Sequence, residues 1–135
     1  MPYSYRQLIA WQKARALAVK IYFVSGKFPS SEQYGLTNQL RRAAVSVASN
    51  IAEGQGRLTP GEFRQFLGHA RGSVLELQIQ LAIALDLHYL AAESYEEVAR
   101  YSEEVLRLIN GLLSALRSTG SATVPTRNSK LETRN

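Results

Sequence analysis

The chain is poor in the residue types that carry catalytic and metal-binding chemistry. Its 135 residues include no cysteine, two histidines, one tryptophan and one methionine. The absence of cysteine excludes disulfide frameworks, cysteine-ligated zinc sites and thiol nucleophiles. No glutamate is followed three residues later by a histidine, as di-iron bundles require, and no phosphate-binding glycine loop is present. We therefore expect no cofactor, no bound metal and no enzymatic activity.

Long apolar runs are also missing. The longest stretch without a charged residue covers residues 43–52 and includes polar side chains, whereas a membrane-spanning helix needs about 20 apolar residues. The N-terminal residues 1–6 lack the apolar segment of a secretory signal. These observations predict a cytoplasmic protein with no membrane partner.

What the sequence does contain is helical periodicity. Apolar residues recur at intervals of three and four, and short turn-forming segments separate four such stretches. Each stretch follows a serine or threonine that has glutamate or glutamine three residues later, the pattern of a helix N-terminal capping box. These pairs are Ser4 with Gln7, Ser30 with Gln33, Thr59 with Glu62 and Ser94 with Glu97. The pattern predicts helices over 5–26, 31–54, 60–88 and 94–118.

Short connections between long helices favour antiparallel neighbours. The predicted fold class is therefore all-α, an antiparallel up-down-up-down four-helix bundle over residues 5–118. Residues 119–135 are polar and lack an apolar period. That composition predicts a disordered basic tail.

Helices three and four carry a second apolar stripe beside the one that would face the core of the bundle. A surface helix of a monomer usually has a single apolar stripe, so the second stripe predicts self-association. The alternative is that both helices are simply well buried in their own bundle. The residues concerned are Leu75, Ile79, Ala82, Ile83, Leu106, Ile109, Leu113 and Leu116.

Charge is unevenly distributed behind a net value of +5. Residues 1–71 sum to +7, residues 72–116 to −5 and residues 117–135 to +3. Several basic residues of the first segment recur at intervals of seven, which places them along one side of a helix. A surface of this kind binds polyanions through phosphate contacts. The candidate binding residues are Arg6, Lys13, Lys20, Lys27, Arg41, Arg42, Arg57, Arg64 and Arg71.

The same basic residues have two alternative interpretations. They form a solvated face of the bundle, or they pair with the acidic helices of the same or a neighbouring subunit. Two carboxylates, Glu53 and Glu76, lie in otherwise apolar stretches. We interpret them as partners of Arg41, Arg42 or helix N-termini; the alternative is a catalytic or metal site that includes His69.

Several motifs extend along residues 5–118. They include Leu8-Ile-Ala-Trp11-Gln12, the segment from Glu32 through Gln39 to Ala44, Asn50-Ile-Ala-Glu53-Gly54, and Gly72-Ser73-Val-Leu-Glu76-Leu77. Together they resemble the four-helix-bundle family encoded by intervening sequences in bacterial 23S ribosomal RNA genes. That family is similar to the accessory protein of diversity-generating retroelements, which binds a reverse transcriptase and nucleic acid. The resemblance implies a homopentamer and gives Trp11, Gln39, Asn50, Glu53, Gly54, Gly72, Ser73 and Glu76 structural roles.

The sequence thus leads to two hypotheses about function. In the first, a non-enzymatic homo-oligomeric bundle binds structured RNA, or an RNA-handling protein such as a reverse transcriptase, through its basic half. In the second, the bundle is a self-assembling interaction scaffold. Its basic and acidic helices then pair between subunits, and it does not bind nucleic acid.

Overall fold

Four α-helices make up nearly all of the chain that the computed structural model describes, which is residues 4–120, with side chains as far as 117. They are α1 (Ile9–Ser25), α2 (Leu36–Gln55), α3 (Pro60–Asp86) and α4 (Ala92–Gly120), and no strand occurs in the described residues. Short 3-10 turns precede α1 and α2. The predicted all-α four-helix bundle is confirmed. The predicted tail lies, from residue 121 onwards, outside the described residues.

The core is formed by the inward stripes of all four helices. Helices α1 and α3 each pack against both α2 and α4, so α1 and α3 occupy diagonal corners of the bundle. Leucine, isoleucine, valine and alanine side chains fill the centre, and most of them are fully buried. Among the largest are Leu17, Ile21, Leu40, Ile51, Leu67, Leu77, Leu81 and Ile109.

Two helices begin later than the capping patterns predicted. Ser4 and Gln7 do form a capping box, but it closes a 3-10 turn over Tyr5–Gln7, and the extended backbone of Leu8 delays α1 until Ile9. Residues Ser30–Glu32 likewise form a 3-10 turn. The first N–H of α2 is accepted by a carboxylate oxygen of Glu32 at 2.9 Å, so Glu32 supplies the cap predicted for Ser30.

The other boundaries show one correct prediction and two differences. Thr59 accepts a hydrogen bond from the Glu62 backbone N–H and Pro60 opens α3, as predicted. Helix α4 begins at Ala92, so Ser94 lies inside its first turn and is not the cap. Helix α3 ends two residues early because His88 adopts a left-handed conformation, φ 64°. The Tyr89 N–H then bonds the Ala84 carbonyl, a Schellman ending.

The packing of α2 on α3 depends on Gly54. A Cβ added there would lie 2.7 Å from the Phe66 Cβ and 2.9 Å from the Phe63 Cδ1. Both contacts are closer than real Cβ atoms tolerate, and the Phe66 Cβ cannot move without its backbone. Glycine therefore lets the C-terminal turns of α2 lie directly on the first turns of α3. Further along the same pair of helices, the hydroxyls of Ser46 and Ser73 are hydrogen-bonded at 2.9 Å.

We predict that Gly54→Ala lowers the free energy of unfolding by about 1–3 kcal/mol, the usual cost of overpacking. Gly111→Ala is the matched control, because Gly111 is exposed on α4 and its added Cβ would meet nothing within 4 Å. That control should gain up to about 1 kcal/mol from helix propensity. Chemical denaturation of both variants measures the difference, and equal stability would contradict the role given to Gly54.

Candidate nucleic-acid interface

Contacts between neighbouring helices establish which residues share a level of the bundle. Lys13 lies against Glu104 and Lys20 against Glu97, so α1 and α4 are antiparallel. Arg64 reaches the Leu116 carbonyl, and Arg71 reaches the Asn110 side chain, so α3 and α4 are antiparallel as well. The contacts of α2 with α3 at Gly54 and at Ser46 show the same relation. One end of the bundle therefore holds residues 4–12, 48–71 and 106–117, and the other holds residues 13–47 and 72–105.

These two ends differ in charge. The first, which we call the basic end, has six basic and two acidic side chains in the described residues, a formal charge of +4. The opposite, acidic end has seven basic and eight acidic side chains, a formal charge of −1. Charges that are separated along the sequence are therefore also separated along the axis of the bundle. Sequence reasoning missed this arrangement because it divided the charges by position in the chain.

The nine candidate basic residues are divided between these ends. The basic end contains Arg6, Arg57, Arg64 and Arg71; the acidic end contains Lys13, Lys20, Lys27, Arg41 and Arg42. The structure therefore brings four of them to one end of the bundle and leaves five at the other. One arginine not predicted from the sequence, Arg107, is exposed at the basic end.

Lys13 and Lys20 form ion pairs within the chain. Lys13 Nζ lies 3.3 Å from Glu104 Oε2, and Lys20 Nζ lies 3.1 Å from Glu97 Oε2. Both ammonium groups also lie over the ring of Tyr101, at 5.4 and 5.2 Å from its centroid. A phosphate that bound either lysine would compete with a carboxylate already in place. This arrangement matches the alternative in which basic residues pair with the acidic helices of the same subunit.

Arg41 binds the C-terminal end of α1. Its Nε donates to Ser25 Oγ at 2.8 Å, a terminal nitrogen donates to the Tyr22 carbonyl at 3.2 Å, and the guanidinium lies 4.5 Å from the centroid of the Tyr22 ring. A cation near the last carbonyls of a helix is favoured by the helix dipole. These contacts give Arg41 a structural explanation that does not involve a ligand.

At the basic end, two arginines lie over aromatic rings. The Arg57 guanidinium is 4.5 Å from the centroid of Phe66. The Arg6 guanidinium is 5.7 Å from the centroids of both Tyr5 and Trp11. Both arginines are exposed while the rings beneath them are half-buried. The spacing of aromatic residues in the sequence gives no sign of these contacts, since Arg57 and Phe66 lie on opposite sides of the turn between α2 and α3.

Most of the motif residues lie along the seam between α2 and α3. Asn50 donates to the Ser46 carbonyl at 2.9 Å and to the Ser46 hydroxyl at 3.0 Å, and that hydroxyl is bonded to Ser73. Beside this cluster is a depression of about 250 Å³, lined in part by Gln39 and Glu76. Trp11, in contrast, packs half-buried at the start of α1. Gly72 is exposed, with nothing within 4 Å of an added Cβ.

The two carboxylates that lie in apolar stretches of the sequence are exposed in the structure. Glu53 is on the outer side of α2, and Glu76 accepts a hydrogen bond from Gln80 at 3.2 Å. Glu76 lines the same depression as Arg42, while Arg41 points to the end of α1. Neither carboxylate caps a helix. Within residues 4–120 no group of three metal-binding side chains comes together.

The outer faces of α1 and α3 expose apolar side chains. On α1, Phe23 is 75% and Val19 52% exposed; on α3, Ile79 is 62% and Ile83 44% exposed. The second stripe expected on helix four is different, because Ile109 is buried and its neighbours in that stripe are half-buried in the chain's own core. The exposure of Ile79 and Ile83 agrees with the second stripe expected on α3, and α4 matches the alternative of a helix well buried in its own bundle. The exposed face of α1 was not predicted. None of the helices in the described part of the chain is both long and apolar enough to cross a membrane.

Comparison with known proteins identifies the family. Residues 6–111 match the model of the 23S rRNA-intervening sequence protein family. The chain belongs to this family. A crystal structure of a protein of unknown function from the S23 ribosomal protein family of Bacteroides thetaiotaomicron VPI-5482 has a similar fold. Its TM-score is 0.71 at 24% identity, and the match covers 78% of this chain and 98% of that one. No curated protein is similar enough in sequence to count as a relative.

At the acidic end, Glu32 joins the two connections between helices. One of its oxygens accepts the Leu36 N–H at 2.9 Å, and the other accepts the Tyr89 hydroxyl at 2.9 Å. The hydrogen bond from Leu36, followed by the one from Tyr89, lowers the pKa of the Glu32 carboxyl below its ordinary value of 4.5. The same hydrogen bond to Glu32, followed by burial, raises the pKa of the Tyr89 hydroxyl.

A carboxyl whose pKa is lower in the folded chain stabilises the fold above its unfolded-state pKa and loses that effect as pH falls through the folded-state value. We predict that Glu32→Gln lowers the free energy of unfolding at neutral pH, and that the difference from the parent chain shrinks as pH falls below 4.5. Denaturation at a series of pH values measures this. Exposed Glu103→Gln is the control, and a pH-independent difference for Glu32→Gln would contradict the prediction.

Proposed function

We propose that this protein is a non-enzymatic, self-associating helical bundle that binds RNA at its basic end. The observation that carries the proposal is the axial separation of charge, +4 at one end and −1 at the other. Arginines from the 3-10 turn before α1, the turn after α2 and the first half of α3 lie at the same end. A cluster spread over several helices suits a chain of phosphates better than a single small anion.

The chemistry of the cluster favours phosphate contacts without a base code. Arg57 and Arg71 are exposed, and their planar guanidinium groups match the geometry of phosphate oxygens. No recognition helix of a known DNA-binding motif is evident among the described helices. The family name refers to an intervening sequence of the 23S rRNA gene and names no ligand, so RNA as the polyanion is inferred from the charge of the basic end. A reverse-transcriptase-like protein partner stays a hypothesis that rests on the resemblance alone.

Self-association is supported by the outer faces of α1 and α3. The α1 face combines Val19, Tyr22 and Phe23 with the exposed Arg15, and together with Ala18 these line a shallow depression of about 390 Å³. Apolar side chains so exposed in neighbouring positions are typical of surfaces covered by a partner. We infer that the partner is a second copy of this chain.

Charge complementarity argues for contact between the α1 face of one copy and the α3 face of the next. On α3, the exposed Ile79 and Ile83 lie between Glu76 and Asp86, both exposed acidic residues. The α1 face carries Arg15, so the two faces are both apolar at the centre and opposite in charge at the margin. Because α1 and α3 present different faces at diagonal corners, such a contact is head-to-tail, and it forms a ring when the rotation between successive subunits closes. The resemblance implies five subunits.

The alternative function is a scaffold that does not bind nucleic acid, in which basic and acidic surfaces pair between subunits. Lys13 and Lys20 already pair with α4 of their own chain, which leaves fewer basic residues for such contacts. Stacking of the basic end on the acidic end of another copy is the form of this alternative that the charge distribution allows. High salt would then dissociate the oligomer, whereas an apolar contact between α1 and α3 faces would persist.

Binding of a structured RNA, followed by fluorescence anisotropy at several salt concentrations, tests the RNA proposal. The affinity should fall steeply with salt. The double variant Arg57→Gln with Arg71→Gln should bind more weakly and with a salt slope smaller by about one to two. The matched double variant Arg42→Gln with Lys27→Gln removes the same charge from exposed positions at the acidic end and should leave affinity within about twofold. No binding at low salt, or equal losses for the two variants, would contradict the proposal.

Mixing two variants tests the head-to-tail contact. Phe23→Glu damages only the α1 face and Ile79→Glu only the α3 face, so each variant alone should sediment as a monomer. An equal mixture retains one intact α1 face and one intact α3 face, and it should form a one-to-one dimer. Arg100→Glu, at an exposed position of α4, should keep the parent oligomer. Full assembly by either apolar-face variant, or a mixture that stays monomeric, would contradict the proposed contact.

A further inference from the structure

At the basic end, arginine guanidinium groups lie against aromatic rings, and each group has a second face that the ring does not cover. Arg57 lies over Phe66 at 4.5 Å, and Phe66 is half-buried against the bundle while Arg57 is exposed. The guanidinium therefore contacts the ring on one side, and because Arg57 is exposed the group stays open to solvent elsewhere. Such a plane is already desolvated on one side and held in place, and a base stacking on it loses little side-chain entropy.

Arg6 provides a second guanidinium beside aromatic rings, at a longer distance. It lies 5.7 Å from the centroids of both Tyr5 and Trp11, which contact each other edge to face at 5.0 Å, and the Arg15 guanidinium lies 5.2 Å from the Trp11 centroid. Residues Tyr5–Gln7 pack against α2, the helix whose C-terminal end leads into Arg57. Both pairs of arginine and aromatic ring therefore lie at the basic end, next to the C-terminal part of α2.

We propose that the basic end takes unpaired RNA nucleotides, with bases stacked on the guanidinium planes of Arg57 and Arg6 and phosphates held by the surrounding arginines. This inference rests on the proposed RNA binding and specifies its substrate. Unpaired bases expose their faces to aromatic and guanidinium planes, whereas the bases of a duplex are stacked on one another. A cluster of lysines binds single-stranded and duplex RNA by charge alone. A guanidinium held against an aromatic ring adds a stacking contact that only an unpaired base makes.

Replacing arginine by lysine separates stacking from charge, because lysine keeps the positive charge and lacks the plane. The experiment measures the affinity of the full chain for a single-stranded uridine-rich RNA and for an RNA duplex with the same number of phosphates. Arg57→Lys and Arg6→Lys should each weaken single-strand binding about fivefold or more, from the lower range of base-stacking energies. Duplex binding should change by less than about twofold, because the charge is unchanged.

Two further measurements sharpen the result. Arg100→Lys, an exposed arginine of the acidic end, is the matched control and should leave both affinities unchanged. Trp11 is the single tryptophan of the chain, so its fluorescence emission reports on binding beside Arg6 without a label. Single-stranded RNA should quench this emission in the parent chain, and thermal unfolding checks that each variant is folded.

The outcomes distinguish this inference from the function it rests on. If Arg57→Lys and Arg6→Lys both lose affinity for single-stranded RNA alone, stacking of unpaired bases is supported. Equal effects on both RNAs, or no effect on either, overturn the inference while binding by charge stands. If the parent chain binds neither RNA at low salt, the proposed function fails and this inference fails with it.

Discussion

The close approach of α2 and α3 at Gly54 is the constraint on which the arrangement of the molecule depends. With no Cβ at this position, the last turns of α2 lie directly against Phe63 and Phe66. That contact, together with the hydrogen bond between Ser46 and Ser73, fixes the register of α3 against α2 along the bundle axis. The same register collects Arg57, Arg64 and Arg71 near the start of α1. The basic end is therefore a consequence of helix packing as well as of composition.

Much of the fold could be predicted from the sequence, because helix periodicity and short connections are local signals. The number of helices and the cap of α3 at Thr59 were predicted correctly. Boundaries differ where tertiary contacts replaced a local cap: the Glu32 carboxylate caps α2 because it is also held by Tyr89 from another connection. The early end of α3 depends on His88 in a left-handed conformation, which composition does not reveal.

Less of the candidate site could be predicted, since side chains distant in the chain decide it. A seven-residue interval correctly places Lys13 and Lys20 on one side of α1, but it does not reveal that Glu104 and Glu97 face them. The spacing of residues in the sequence likewise gives no sign that Arg57 lies on Phe66 across a turn. The exposure of Phe23 and Val19 was missed because an apolar residue on a helix is usually assigned to the core. The predicted self-association surface changes accordingly from helices three and four to α1 and α3.

The central claim is that topology makes one end of this bundle a polyanion-binding surface. Hydrogen–deuterium exchange with and without bound RNA tests it most directly, because it locates the contact without any substitution. The account predicts slower exchange in peptides covering residues 4–11 and 55–66, and unchanged exchange in peptides covering residues 26–36 and 86–95. Protection at the acidic end, or along the α1–α4 seam where Lys13 and Lys20 lie, would contradict it.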